Sequence, residues 1–245
     1  MFPYGTADRL GHRATLGLIV LQADETIEHD FRRMLPVNGV TLYASRIPSA
    51  GDVTGDTLAQ MRDDLPGAAA LLPRGLNFDA VGYGCTSGTS VIGAKAIADL
   101  VRSGVNTQEV TEPVTALIAA CSALNLRRLA FLSPYIAEVS AVLRNTLADH
   151  GVASPVFGSF DEAVEARVAR IDGASVIAAA TALAAEGGVD GLFLSCTNLR
   201  TLDVIAPIEA ETGLPVLSSN QVLAWHMARL SGVSLAPDFG ALTRL

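Results

Sequence analysis

One pattern occurs twice in this chain. Asp79-Ala-Val-Gly-Tyr-Gly-Cys85-Thr86-Ser87 and Asp190-Gly-Leu-Phe-Leu-Ser-Cys196-Thr197-Asn198 both read Asp, five residues, Cys-Thr. Each copy is a short apolar run ending in small polar residues, which reads as a buried strand running into a turn. An earlier apolar run stands at nearly the same distance before each cysteine: residues 16–21 before the first, 128–133 before the second. Downstream of each lie an apolar strand, small polar residues and a helix. Self-similarity on this scale marks one supersecondary unit used twice. The chain therefore reads as two α/β halves related by pseudo-symmetry.

The remaining elements fit that division. Ile27, Phe31, Met34 and Leu35 recur at helical spacing. A strand over 79–85 is followed by a helix through Ile92, Ala96, Ile97 and Leu100. Residues 113–126 form an apolar helix, 136–150 a helix with Val139, Leu143 and Leu147 on one face, and 173–187 an alanine-rich helix. A strand at 215–217 and a helix at 220–231 close the pattern. Short apolar strands alternating with helices predict an α/β fold whose halves are each a parallel sheet flanked by helices. The first half takes residues 1–112 plus 218–245, with the last helix returning to it; the second takes 113–217. No Pro/Gly/Ser-rich linker separates them, so the halves should pack closely.

Composition narrows the function. The 245 residues carry a net charge of -8 and a single lysine, Lys95, which reads as a solvated helix residue. A nucleic-acid binder shows a basic face, and this chain offers none. Net acidity also argues against attraction to anionic lipid. No run of about 18 apolar residues lacks a charge or helix breaker, so no membrane span is expected. Met1-Phe2-Pro3-Tyr4-Gly5 does not begin a secretory signal, and the expected location is the cytoplasm. Three cysteines suggest no disulfide framework, and a Cys85–Cys196 bridge is disfavoured in a reducing compartment. His12, His29, His150 and His226 make no metal-ligand spacing with them. One lysine leaves little scope for a pyridoxal Schiff base. No cofactor and no metal are expected. Gly82-Tyr83-Gly84-Cys85-Thr86-Ser87-Gly88 superficially suggests a dinucleotide loop, but its third glycine falls one place late.

Cys85 and Cys196 stand at the carboxyl ends of parallel strands, where ligands bind in such sheets. Each precedes a hydroxyl residue at an expected helix start, which predicts a lowered thiol pKa. Free amides there, with Thr86, Ser87, Thr197 and Asn198, suit a substrate carboxylate or an enediolate oxygen. Two thiols in opposite protonation states on opposite faces of a carbon can remove a proton and return one from the other side. They would titrate as a coupled pair. Alternatively, one thiolate adds to an activated double bond, permits rotation and leaves. Each cysteine taken alone reads as a small buried hydrophobe; the repetition with Thr argues for function. Cys121, in Ala-Ala-Cys-Ser-Ala, reads as core.

Gly17-Leu-Ile-Val, Tyr83-Gly-Cys85-Thr-Ser-Gly88, Ser133-Pro-Tyr135, Leu194-Ser-Cys196-Thr-Asn198 and Val216-Leu-Ser-Ser219 together resemble the aspartate/glutamate racemase superfamily. Within it the chain is most similar to the maleate cis-trans isomerase and arylmalonate decarboxylase branch, over nearly its whole length. The resemblance implies a cofactor-free, homo-oligomeric enzyme with its site between two similar halves. It implies that decarboxylases keep only the thiol at the position of Cys196, whereas maleate isomerases keep both, with Cys85 as nucleophile and Cys196 as acid/base. Tyr135 then matches the family's hydrogen-bond donor to a substrate carboxylate. Where maleate isomerases carry Ser-Asn-x-Thr-x-Glu, this chain reads Ala23-Asp24-Glu25-Thr26-Ile27-Glu28. An Asp in place of the amide repels a carboxylate and favours a substrate ammonium or amide N–H; Asp24 equally reads as a helix cap. The Asp24-to-His29 run also resembles racemase-like proteins of ectoine-utilisation clusters, which implies racemisation of an acylated diaminobutyrate. Fold alone gives no reaction. The expected activity is a two-cysteine racemase or isomerase of a small amino-acid-like or dicarboxylic acid. Rivals are maleate isomerisation, arylmalonate-type decarboxylation and non-catalytic small-molecule binding.

Overall fold

The repeat in the sequence is a repeat in the fold. The computed structural model describes residues 1–51, 54–236 and 238–245. The first half runs β1 (Ala14–Leu21), α1 (Ile27–Met34), β2 (Val40–Ile47), α2 (Gly55–Ala69), β3 (Phe78–Gly84), α3 (Thr86–Ile92), α4 (Ala94–Gly104) and β4 (Thr107–Thr111). The second runs α5 (Pro113–Ala123), β5 (Arg128–Ser133), α6 (Ala137–Asp149), β6 (Ala153–Ser159), α7 (Glu165–Val168), α8 (Gly173–Ala185), β7 (Gly191–Leu194), α9 (Ile205–Thr212) and β8 (Val216–Ser218). Helix α10 (Ser219–Leu230) and a 3-10 turn at Ala241–Arg244 complete the chain. The strand orders are β2-β1-β3-β4 and β6-β5-β7-β8. These are one topology used twice, with β5 equivalent to β1 and β7 to β3. All the pairings are parallel.

Central strands of a parallel sheet are covered on both faces. Accordingly all eight residues of β1 are buried. Their side chains alternate between two cores, as the strand's period of two requires. Leu16, Leu18 and Val20 meet Ala130, Leu132, Leu192 and Leu194 of the other sheet in one shared cluster. Ile19 and Leu21 face away, onto Met61, Leu65, Ile97 and Val101. In the second half Phe131 and Phe193 turn outward onto Leu117, Cys121, Leu143 and Leu147. Cys121 is thus core, as expected. Burying each such leucine contributes about 1.5–3 kcal/mol, so the shared cluster welds the halves together. Helix α10 packs on α1, α5, β3 and β4. Among the described residues no helix is long and apolar enough to cross a membrane.

Two local expectations are corrected. The helix after Cys85 is not continuous, because Gly93 adopts φ 90° and separates α3 from α4. No helix starts after Cys196 either: residues 197–200 form an irregular segment of bends, and α9 begins only at Ile205.

The duplicated aspartates have a structural task. Asp79 Oδ2 accepts a hydrogen bond from the Thr15 amide at 2.8 Å. Asp190 accepts from the Arg127 and Arg128 amides, both at 2.9 Å. Each carboxylate fixes the start of the strand beside its own, which sets the register that brings the cysteine to the far end. Asp79→Ala and Asp190→Ala should each lower stability by about 1–2 kcal/mol. Urea titration checks this, and alkylation of Cys85 and Cys196 in the folded variants should be unchanged.

Candidate active site

In each half the chain passes from the central strand to one neighbour and then to the other. The two sides of the central strand diverge there, and a crevice opens at the strands' carboxyl ends. The crevices of the two sheets meet. The resulting narrow cleft, a cavity of about 30 Å³, is lined by Cys85, Thr86 and Ser87 from one half and Tyr135, Glu165, Cys196 and Thr197 from the other. Leu21, Leu58 and Met61 supply an apolar wall. Both thiols therefore border the same space. Among the described residues, no group of three or more His, Cys, Asp or Glu side chains is placed to hold a metal ion.

Cys85 is the N-cap of α3, and its sulfur accepts from the Gly88 amide at 3.1 Å. Gly88 must be glycine for that contact. A Cβ there would lie 2.9 Å from the sulfur and 2.7 Å from the Tyr83 hydroxyl. Tyr83 donates instead to Met61 Sδ at 3.6 Å. Cys196 is built differently. Its backbone sits at φ 90°, a left-handed conformation costly for a side-chain-bearing residue, by about 1–3 kcal/mol. Around it the Asn198 amide donates to its sulfur at 3.3 Å and Thr197 Oγ1 to the Gly84 carbonyl at 3.3 Å.

A buried chain of polar contacts leads away from Cys196. The Tyr135 hydroxyl lies 2.8 Å from its sulfur and donates to Glu165 Oε1 at 2.6 Å. Glu165 Oε2 accepts from Asn198 Nδ2 at 2.8 Å. Glu165 was not anticipated from sequence. No periodicity or motif marks it in the stretch between β6 and α8, and only the fold brings it to the cleft.

The other candidates divide. Thr86, Ser87, Tyr135 and Thr197 line the cleft. Thr86 Oγ1 also donates to Ser219 Oγ at 2.8 Å. Asn198 stands behind the wall: its amide nitrogen holds Glu165 and its oxygen accepts from the Glu25 amide at 2.8 Å. Asp24 is buried beside the cleft and caps α1, with Oδ1 accepting from the Thr26 and Ile27 amides at 2.8 Å. Its Oδ2 has no hydrogen-bond partner. Lys95 is exposed and pairs with Asp99.

The electrostatics reverse one expectation. The helix-start argument predicts lowered thiol pKa values, but both are raised. Burial pushes Cys85 up to about 12, with only partial relief from the Gly88 amide. Burial, and then the Glu165 charge, holds Cys196 well above the ordinary thiol range. Burial likewise raises Tyr135, Glu165 and Asp24. Desolvation outweighs the few amides in reach.

These features fit the isomerase and decarboxylase branch of the Asp/Glu racemase-like fold, and comparison with known proteins places the chain there. Residues 102–242 match the arylmalonate decarboxylase family model, and the chain belongs to that family. An arylmalonate decarboxylase of Bordetella bronchiseptica is 33% identical over 131 residues, 52% of this chain and 55% of that protein. The chain thus spans about half the length of that relative. A maleate isomerase of Pseudomonas putida is 24% identical over 236 residues, 91% of this chain and 92% of that protein. A Nocardia farcinica maleate cis-trans isomerase, solved as a Cys-to-Ser mutant with a covalently bound succinylcysteine intermediate, superposes with TM-score 0.84 at 23% identity, covering 94% of this chain and 98% of that one. A liganded arylmalonate decarboxylase carrying a Gly-to-Cys and a Cys-to-Ser exchange superposes with TM-score 0.82 at 26% identity, covering 94% and 98%.

A thiol with a pKa of about 12 exposes tenfold more thiolate for each pH unit below that value. Alkylation of Cys85 by iodoacetamide should therefore rise about tenfold per pH unit from pH 7 to pH 10 without a plateau, which peptide mass spectrometry at each pH checks.

Proposed function

We propose that the chain is a two-cysteine racemase or isomerase of a small amino-acid-like or dicarboxylic acid. The observation that carries this reading is the pair of thiols, one from each half, bordering one cleft. A substrate carbon held between them meets a base on one face and an acid on the other, so a proton removed from one side returns on the opposite side. Thr86 and Ser87 open α3, where amides lack helical partners. With Thr197 they hold the substrate carboxylate and the enediolate that forms from it.

The charge around the cleft favours an amino-acid-like substrate. Glu165 lines it, Asp24 lies beside it, and no lysine or arginine is among its lining residues. A second substrate carboxylate would face these acids uncompensated, whereas an ammonium or amide N–H finds acceptors. Maleate cis-trans isomerisation is the second reading, favoured by a maleate isomerase relative that aligns along nearly the whole chain. It requires addition of Cys85 to the double bond and a succinyl adduct on that sulfur.

Proton NMR in D2O separates the readings. Loss of the α-proton signal from candidate amino acids and their N-acyl forms is expected. Cys85→Ser and Cys196→Ser should each slow it by about 10²–10⁴-fold. If neither enantiomer of any candidate exchanges, racemisation is excluded. Fumarate from maleate, with a mass increase on Cys85, would install the second reading. Activity of Cys85→Ala on a malonate would instead identify a decarboxylase.

A further inference from the structure

The two cysteines occupy equivalent places, but only one has a carboxylate behind it. Cys196 sulfur, the Tyr135 hydroxyl and Glu165 Oε1 form a continuous line with steps of 2.8 and 2.6 Å. All three residues are buried. On the other side the tyrosine beside Cys85 points to a methionine sulfur. Tyr135 has one hydroxyl proton. It donates that proton to Glu165, so its oxygen is free to accept from the Cys196 S–H.

We propose that Glu165 is a positioning residue that takes up the Cys196 proton through the Tyr135 hydroxyl. The Cys196 S–H bond breaks as its proton passes to the tyrosine oxygen, and the tyrosine O–H bond breaks as that proton passes to Oε1. The products are a thiolate, a neutral tyrosine and a carboxylic acid; nothing is oxidised or reduced. Every hydrogen bond in the line then reverses: the protonated carboxyl donates to tyrosine and tyrosine donates to the thiolate. The Asn198 amide remains a donor to the sulfur at 3.3 Å.

Charge conservation favours this route. Losing the Cys196 proton to solvent would leave a thiolate beside the Glu165 carboxylate, two like charges in a space that water barely enters. The relay moves one negative charge from oxygen to sulfur and adds none. The other groups that face the line, Cys85 and Asp24, see the same total charge before and after. Cys85 has no such acceptor and stays a thiol. Cys196 is then the base and Cys85 the acid in the first half of a turnover.

The inference rests on the two-thiol reading, and alkylation kinetics test it without any turnover, so each can fail alone. Iodoacetamide labelling of Cys196 and Cys85 is followed by mass spectrometry from pH 7 to pH 9, with fully buried Cys121 as the sentinel of an intact core. In the unaltered protein Cys196 should label at a nearly pH-independent rate, because the thiolate arises by internal transfer. Glu165→Gln should slow Cys196 at pH 7 by at least about tenfold and restore a tenfold-per-unit pH slope, with Cys85 not slowed. Glu165→Asp should recover part of the rate. Tyr135→Phe, which keeps the carboxylate and removes the bridge, should also slow Cys196. Simple loss of a repelling charge predicts the opposite sign for Glu165→Gln. Cys196 labelling as fast or faster in Glu165→Gln, or unchanged in Tyr135→Phe, overturns the proposal. If Glu165→Gln also exposes Cys121, Tyr135→Phe decides.

Discussion

Joining two sheets by their carboxyl ends buries the polar groups that gather there, and each buried polar group needs a partner. The seam of this molecule is organised by that requirement. Glu165 is held by Tyr135 and Asn198. Asn198 in turn accepts from the Glu25 amide, and its carbonyl accepts from Thr26. Asn220 spans Asp30 and the Thr197 carbonyl, each at 2.8 Å. Thr86 reaches Ser219. Thus α1, α3, α7, α10 and the Cys196 segment are tied to one another by bonds with little competition from water. Removing one partner leaves a buried group unsatisfied, which costs more than the bond itself contributes. The bonds that shape the site are therefore also bonds that hold the halves together.

Pseudo-symmetry holds for the backbone and fails for the chemistry. Both cysteines follow the equivalent strand and both border the cleft, yet one caps a short helix while the other bends the chain through a positive φ. Amides lie within reach of both sulfurs, but the buried setting dominates and raises both thiols. A resting site of neutral thiols is chemically sensible. It avoids an unpaired buried charge when empty and leaves creation of a thiolate to a specific proton acceptor.

Legibility in the sequence followed the same division between repeated and unrepeated features. The strands that carry the cysteines were visible because apolar runs buried on both faces have a strong signature. β2 and β6 carry no such signature, and β4 is legible only as a downstream strand without bounds, since all three are half-exposed sheet neighbours such as Thr-Gln-Glu-Val-Thr with no clean alternation. The cysteines, Thr86, Ser87, Tyr135 and Thr197 could be named because a duplicated motif or a family motif marked them. Glu165 could not. It is a lone acid on a four-residue helix, and its significance lies in contacts with residues 30 and 33 positions away. The helix-start argument at Cys196 failed because a Cys-Thr turn was equated with a helix cap, whereas this one continues as irregular chain. The duplicated Asp was read only as part of a pattern; its work is to pin neighbouring strands.

A site with near-twofold symmetry suits chemistry on a carbon that must be approached from two faces, because the duplicated scaffold supplies two equivalent groups by construction. Strict symmetry would carry a cost, however. Two identical thiols have no reason to differ in protonation, and a site with both protonated has no base. The structure breaks the tie outside the repeat. Glu165 comes from a short helix, α7, with no counterpart among the described residues of the first half, and its carboxylate hydrogen-bonds only on the Tyr135–Cys196 side. Tyr83, near Cys85, donates to a thioether, a weak acceptor of no charge, and also faces the Cys85 thiol, so no carboxylate accepts from it. Under the proposed relay, duplication supplies the two-sided geometry, and a single unduplicated carboxylate selects which thiol serves as the base.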